Sequence, residues 1–183
     1  MTILGDKAQT LDEQMRDVLQ FLPGVFDQKI RKIVMNKSYR NTMEIARYAE
    51  KLTGVKDVEL LKRHGKEVVE EQFQTEDAVL DEILSKAKLG EDEYETAAII
   101  TMTEAEASTL YQILKARGEE VHYIDRNSSV FKKGLTVTTF YLAKGLEFDQ
   151  VFGVFQDSGN PMLNQAKYIC ATRALHELYM YQI

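Results

Sequence analysis

The chain has 183 residues, of which 44% are hydrophobic and 28% charged, a composition typical of a globular protein with one sizeable core. Its net charge of −6 argues against a surface that binds nucleic acid through bulk positive charge. A single cysteine, Cys170, excludes an internal disulfide, and no apolar run is long enough to span a bilayer, so we expect a cytoplasmic protein with no membrane partner.

The first half of the chain predicts alternating strands and helices whose ends are marked by proline, glycine or a capping residue. In order, these elements are a strand over residues 2–6, a helix over Leu11–Leu22, a strand over Ile30–Met35, a helix between Thr42 and Gly54, a strand over Glu67–Phe73 and a helix between Thr75 and Gly90.

The second half gives clearer signals. A capping box, Thr103-Glu104-Ala105-Glu106, predicts the start of a helix that ends near Gly118. The other predicted elements are strands over Thr96–Met102, Glu119–Ile124, Leu135–Phe140, Val151–Phe155 and Leu178–Ile183, and a helix over Pro161–Leu175. Because strands alternate with helices, we expect an α/β fold with a mostly parallel sheet covered on both faces.

Polar residues follow several predicted strands, and ligands of open parallel sheets bind at the carboxyl ends of the strands. The polar residues in such positions are Asp6, Gln9, Ser38, Tyr39, Arg40, Tyr141, Lys144 and Glu147. Arg173 instead lies near the end of the helix before the last strand. The set contains no Ser-His-Asp or Cys-His combination, so it suits the binding of an anion and a planar base better than acyl transfer.

Four segments together resemble a known family. GDKAQ (5–9), NKSYRNTMEIARYA (36–49), YLAKGLEFDQVF (141–152) and YICATRALHELYM (168–180) are similar, in order, to motifs III to VI of superfamily 1 helicases of the UvrD/Rep type. The sequences of the second and third segments are most similar to the helicase IV/HelD branch. The resemblance implies a three-layer RecA-like domain of the P-loop NTPase type, here without its Walker A half.

The resemblance also implies a role for each matching residue at an ATP site. Tyr39 would stack on the nucleotide base, and Arg40 would reach the γ-phosphate. Arg173 resembles an arginine finger, whose fixed fork of donors suits the charge of a transferring phosphoryl group. Gln9 would sense the γ-phosphate across the domain cleft, and Glu147 would lie near the ribose.

The same resemblance implies that one connector between two predicted strands contacts both ATP and nucleic acid. This connector is FYLAKGLEFD (140–149). Gly145 would allow a close approach of the backbone or a positive φ. Thr138, Thr139, Tyr141 and Lys144 would face nucleic acid, although many relatives carry His where this chain has Tyr141. A segment that touches both ligands is a reasonable place for coupling between them.

The family pattern also divides the chain. We expect residues 1–24 to be the end of a first RecA-like domain with its connecting helix, and residues 25–183 to be the second, with 53–95 as a compact replacement for an inserted subdomain. No G-x-x-x-x-G-K-[ST] loop and no acidic Walker B-like segment is present. ATP with Mg²⁺ would therefore bind only with an N-terminal RecA-like domain as partner, and the isolated chain is predicted to be inactive.

Three functional hypotheses remain open at this point. The first is the C-terminal motor domain of an ATP-dependent DNA helicase or translocase that contacts single-stranded or duplex DNA. The second is a protein-binding module of a HelD-like factor that acts on RNA polymerase, and the third is a flavodoxin-like regulator. Outside the motif context, Arg40 and Arg173 would be read as surface ion-pair residues, Lys144 as structural, and Cys170 as a small buried hydrophobe.

Overall fold

A computed structural model describes residues 24–25, 33, 37–54, 59–60, 62–90, 94–128, 131–156 and 159–183. Gln9, the two elements predicted before residue 24, and all of the Ile30–Met35 strand except residue 33 lie outside these ranges. The predicted boundary near residue 24 therefore stays a prediction.

The described chain forms a six-stranded, all-parallel sheet and a separate pair of two-residue parallel strands. The pair is β1 (Lys37–Ser38) and β2 (Glu59–Leu60). The sheet contains β3 (Val69–Gln72), β4 (Thr96–Thr101), β5 (Val121–Tyr123), β6 (Gly134–Thr139), β7 (Phe148–Phe155) and β8 (Ala174–Gln182). Their order is β3-β8-β7-β4-β6-β5. The predicted α/β class with a parallel sheet is confirmed.

Four described helices are α1 (Met43–Thr53), α2 (Glu76–Lys86), α3 (Glu104–Ala116) and α4 (Leu163–Arg173). The hydroxyls of Thr42, Thr75 and Thr103 cap the first three, and the predicted capping box of α3 is present. Gly54, with φ of 65°, ends α1 as predicted. The predicted end of α2 at Gly90 is wrong, since the helix stops at Lys86 with Ala87 as its cap.

Hydrophobic cores lie on both faces of the sheet, as expected for parallel strands. One core joins α1 and α4 to the sheet, with Ile45, Ile169 and Phe148 fully buried. The other joins α2 and α3, with Leu80 and Leu114 fully buried. Residues 53–95, predicted to replace an inserted subdomain, supply β3 and α2 to these same layers. Within the described ranges, no helix is long and apolar enough to cross a membrane.

The connector from β6 to β7 reverses the direction of the chain. The two strands are parallel and lie on either side of β4, so the chain must return from the carboxyl end of β6 to the amino end of β7. It does so in residues 140–147, whereas most parallel crossovers need about a dozen residues or more. Its beginning, near Tyr141, therefore lies at the carboxyl edge of the sheet, and its end, at Glu147, lies at the amino edge.

Candidate functional site

Two arginines from distant parts of the chain meet the end of this connector. The Arg40 Nε atom lies 2.5 Å from Glu147 Oε1 in an ion pair. Arg173 donates from Nη1 to the carbonyl oxygen of Leu146 at 3.1 Å. Because Leu146 and Glu147 are adjacent, the structure brings both guanidinium groups to one place, at the start of β7. We call this place the amino-edge site, and it includes the neighbouring Tyr39.

The position of this site corrects one expectation. Ligand residues were expected at the carboxyl ends of the strands, but Glu147 directly precedes β7 and Arg173 directly precedes β8. The reversing connector is the physical reason, since it carries Glu147 back across the sheet after β6. Arg40 is held there with Glu147.

The four side chains of the amino-edge site differ in accessibility. Tyr39 is 66% exposed, so its ring is open to a planar partner. The side chains of Arg40 and Glu147 are each 42% exposed, and an incoming anion could replace Glu147 as the counter-charge of Arg40. Arg173 is only 3% exposed, and Thr172 Oγ1 accepts a second bond from its guanidinium at 3.3 Å.

Two further residues hold this site together, and the sequence reasoning missed both as site residues. The Asn41 side-chain amide donates to the carbonyl oxygens of Ala171 at 2.9 Å and Ala174 at 2.7 Å, which ties the Tyr39–Arg40 segment to the end of α4. Arg63 Nη2 donates to the carbonyl oxygen of Arg40 at 2.9 Å and also to that of Leu175. Asn41 lies within the NKSYRN motif, whereas nothing around Arg63 in the sequence signals its role.

Gly145 shows why the connector needs glycine. Its φ of 96° is in the region that other residues rarely adopt, and an added Cβ would meet no atom within 4 Å. Of the two reasons expected from the sequence, a positive φ is the one that the backbone displays.

The four residues predicted to contact nucleic acid differ in how exposed their side chains are. Thr138 and Thr139 are 0% and 1% exposed, and the Thr138 hydroxyl donates to the Ile124 carbonyl oxygen at 3.1 Å. These two side chains pack inside the sheet layers, and the expectation that this strand end faces DNA stays a prediction. Lys144 is exposed and Tyr141 is half-buried, so these two remain at the surface.

A buried carboxylate near the amino end of β8 supports the same edge. Glu177 is 3% exposed and accepts hydrogen bonds from residues on four separate parts of the chain. Its donors are Lys66, Lys88, Tyr94, Gln150 and Tyr179. Burial by itself raises the pKa of Glu177, but the hydrogen bonds from Lys66, Tyr179, Gln150 and Lys88 outweigh it and lower the pKa to about 2.

A second carboxylate fastens the 62–68 segment to α1. Glu44 Oε1 lies 2.9 Å from His64 Nδ1, and Glu44 Oε2 accepts from the Gly65 backbone N–H at 2.8 Å. The hydrogen bond from His64 is the main reason that the pKa of Glu44 is lowered to about 2. This attachment places Arg63 beside the amino-edge site, since Arg63 is the residue next to His64.

The donor set of the amino-edge site fits a nucleotide. It offers the exposed ring of Tyr39, the accessible guanidinium of Arg40 and the buried guanidinium of Arg173, and the two guanidinium groups bond to adjacent residues of the connector. In the part of the chain that the structure describes, no three His, Cys, Asp or Glu side chains are placed to hold a metal ion.

Comparison with known proteins finds similar solved structures. The C-terminal domain of a possible DNA helicase from Lactobacillus plantarum WCFS1 is 30% identical, with a TM-score of 0.57 over 80% of this chain and 88% of that domain. An arterivirus nonstructural protein 10 helicase in complex with DNA is 13% identical, with a TM-score of 0.44 over 65% of this chain and 29% of that protein, which is too distant to carry an argument. No family model and no curated protein matches. The match to the bacterial domain confirms the helicase resemblance of the motifs, and the chain belongs to the family of DNA-helicase C-terminal domains.

Proposed function

We propose that this domain is the C-terminal motor domain of an ATP-dependent DNA helicase or translocase and supplies one half of an ATP site. The observation that carries the proposal is the meeting of Arg40 and Arg173, from segments more than a hundred residues apart, at Leu146–Glu147. Two guanidinium groups beside an exposed tyrosine ring match the charge and shape of a nucleoside triphosphate.

Each residue of the amino-edge site has a distinct task in this proposal. Tyr39 stacks on the base, and Arg40 exchanges Glu147 for a phosphate oxygen. Arg173 turns from the Leu146 carbonyl toward the γ-phosphate when the cleft closes, and Glu147, released from Arg40, is free to accept from the ribose. ATP supplies the free energy of its hydrolysis, while these side chains bind and orient it.

The other half of the ATP site would come from an N-terminal RecA-like domain. The 183 residues contain no Walker A loop to cradle the β- and γ-phosphates. We therefore propose that the chain alone does not hydrolyse ATP. A malachite-green phosphate assay on the purified chain should stay at background; turnover that is lost in Arg173→Ala would contradict this.

The proposed DNA contact lies at the opposite edge of the sheet, at Tyr141 and Lys144. Residues 140–147 link this edge directly to the amino-edge site, so a shift of Glu147 on nucleotide binding can be passed along the connector to Tyr141. Opening and closing of the cleft would then move the strand-contacting edge by a step.

A second candidate function is docking to RNA polymerase. It is favoured by the net charge of −6 and by the burial of Thr138 and Thr139, which leave few groups for nucleic acid. A pull-down separates the two candidates. Polymerase subunits retained without DNA favour docking, whereas salt-sensitive retention on single-stranded DNA favours the motor.

The decisive test of the motor proposal is the DNA-stimulated ATPase of the full-length protein that carries this domain. Loss of an arginine finger lowers kcat by roughly 10³- to 10⁵-fold, which is the result expected for Arg173→Ala. Arg40→Ala should also lower kcat, since the same anion loses a donor. Arg117→Gln is the matched control, because Arg117 pairs with Asp77 and Asp81 on α2, on the opposite face of the sheet from α1 and α4. Equal activity of the Arg173→Ala and Arg117→Gln variants would refute the proposal.

A further inference from the structure

Two side chains at the carboxyl edge donate to one carboxylate oxygen of a third. The Tyr141 hydroxyl donates to Glu104 Oε1 at 2.6 Å, and the Arg126 Nε donates to the same oxygen at 2.8 Å. The Arg126 guanidinium carbon also lies 5.8 Å from the centre of the Tyr141 ring, within the range of a cation–π contact. We call Glu104, Arg126 and Tyr141 the carboxyl-edge triad.

The local backbone fixes each member of the triad. Glu104 is the first residue of α3, directly after the Thr103 cap, and Tyr141 follows the end of β6. Arg126 lies in a turn closed by Asp125 Oδ1, which accepts from the Asn127 backbone N–H at 2.9 Å and the Ser128 hydroxyl at 2.8 Å. The triad is thus held by secondary structure and a hydrogen-bonded turn.

The triad lies at the surface and is open to a ligand. The side chains of Glu104 and Arg126 are 46% and 73% exposed. The two donors that meet at Glu104 Oε1, a guanidinium and a phenolic hydroxyl, are also donors that bind phosphate oxygens. The Glu104 carboxylate therefore occupies the two donors, on Arg126 and Tyr141, that could otherwise bind a phosphate of nucleic acid.

We propose that Glu104 is a built-in competitor for nucleic-acid phosphate, and that Arg126 and Tyr141 form the phosphate-binding pair that it occupies. The proposal rests on the proposed function for the class of ligand, a single-stranded nucleic acid at this edge. On binding, a phosphodiester oxygen takes the place of the Glu104 carboxylate between the two donors.

The consequence is a weakened and readily reversible contact. Binding must first break the Glu104–Arg126 ion pair and the Tyr141–Glu104 hydrogen bond, and the displaced carboxylate then repels the phosphate. Rapid release of one phosphate is what a domain that steps along a strand requires. The arrangement also fits an acidic domain that contacts nucleic acid through a few local groups.

The test measures binding of a fluorescent single-stranded oligothymidylate to the purified chain by anisotropy at low salt. Glu104→Gln removes the competing charge and should tighten binding by about three- to fivefold, the size of a surface ion pair. The double variant Glu104→Gln/Arg126→Gln should lose this gain, and Tyr141→Phe in the Glu104→Gln background should lose part of it.

Glu95→Gln is the matched control. It removes the same charge from an exposed ion pair with Lys133, just before β4 and thus at the other edge of the sheet, so it reports the general effect of a less acidic protein. Equal gains for Glu104→Gln and Glu95→Gln would overturn the proposal, as would a gain that persists without Arg126 or no measurable binding by Glu104→Gln.

A parallel titration with inorganic phosphate at matched ionic strength distinguishes the ligand sources. The proposal expects the Glu104→Gln gain for the oligonucleotide, and a gain confined to inorganic phosphate would overturn it. This assay is independent of the ATPase test, because Arg173 lies at the amino edge. If the Arg173→Ala variant keeps its ATPase activity, the motor proposal fails. The result of the oligonucleotide-binding assay would still stand on its own.

Discussion

Replacing Glu177 by Gln should destabilise the domain substantially, because the change removes the charge from a buried and fully engaged carboxylate. Glu177 is 3% exposed and fixes the 62–68 segment through Lys66 and the start of the α2–β4 loop through Lys88. In the Glu177→Gln variant, the two lysines can turn to solvent. Gln150 and Tyr179, which are 0% and 5% exposed, have no such route and must share a neutral amide.

Two ways of estimating the magnitude give overlapping ranges. Leaving one or two buried neutral donors poorly satisfied costs about 1–3 kcal/mol each. The lowering of the Glu177 pKa from its ordinary 4.5 to about 2 corresponds to about 3 kcal/mol of stability at neutral pH. We therefore expect Glu177→Gln to lower the free energy of unfolding by about 2–4 kcal/mol at pH 7.

Urea unfolding followed by circular dichroism at several pH values tests both the size and the cause. The folded-state pKa of Glu177 is depressed, so its contribution is present above pH 4.5 and is lost as the pH falls toward 2. The gap between wild type and Glu177→Gln should thus narrow over that window. Glu95→Gln, at an exposed pair, should change stability by less than about 1 kcal/mol. A stability difference below about 1 kcal/mol at pH 7, or one that does not change with pH, would show that the Glu177 charge does not stabilise the fold in this way.

Other parts of the chain give shorter predictions. Asn41→Ala should lower the free energy of unfolding by about 1–3 kcal/mol in the same urea assay, because the carbonyl oxygens at the end of α4 lose their donor, and a value near zero would contradict this. Gly145→Ala should cost roughly 1–2 kcal/mol through its positive φ, whereas Gly90→Ala, at an open position without one, should be near neutral; equal values would argue against backbone strain. Cys170 is fully buried and burial raises its pKa, so its thiol should stay unreactive toward Ellman's reagent until the protein unfolds, and rapid labelling of the folded protein would oppose this.

Local signals in the sequence predicted most of the elements. Thr42 and Thr103 cap helices where hydroxyl residues precede apolar periodic runs, and Gly54 ends α1. The continuous apolar run at Thr96–Met102 became β4, a strand buried on both faces. These features depend on neighbours a few residues away, so the sequence carries them directly.

Element ends that depend on partners were harder to predict. The last strand was expected from Leu178 but begins at Ala174, because Ala174 pairs with Phe148 of β7. Likewise, the resemblance implied that Thr138 and Thr139 lie on a strand end that faces nucleic acid, but the structure buries both side chains. Pairing and burial are decided by distant segments, which the local pattern does not contain.

The candidate site was predictable only through its motifs. Physical reasoning from parallel sheets placed the ligand residues at the carboxyl edge, but the short connector carries Glu147 to the amino edge, where it meets Arg40. The supporting bonds of Asn41 and Arg63 span more than a hundred residues each and leave no periodic trace. The resemblance named the candidate site residues, and the structure was needed to find the bonds that hold them in place.

The central claim is that Arg40 and Arg173 serve one phosphoryl group at the amino edge. The most direct measurement is a crystal structure of the full-length protein with Mg²⁺ and ADP–aluminium fluoride. We expect both guanidinium groups within about 3 Å of the fluoride or phosphate oxygens, with Arg40 no longer paired to Glu147 and Tyr39 stacked on adenine. A bound nucleotide that leaves both the Arg40–Glu147 pair and the Arg173–Leu146 bond unchanged would contradict the account.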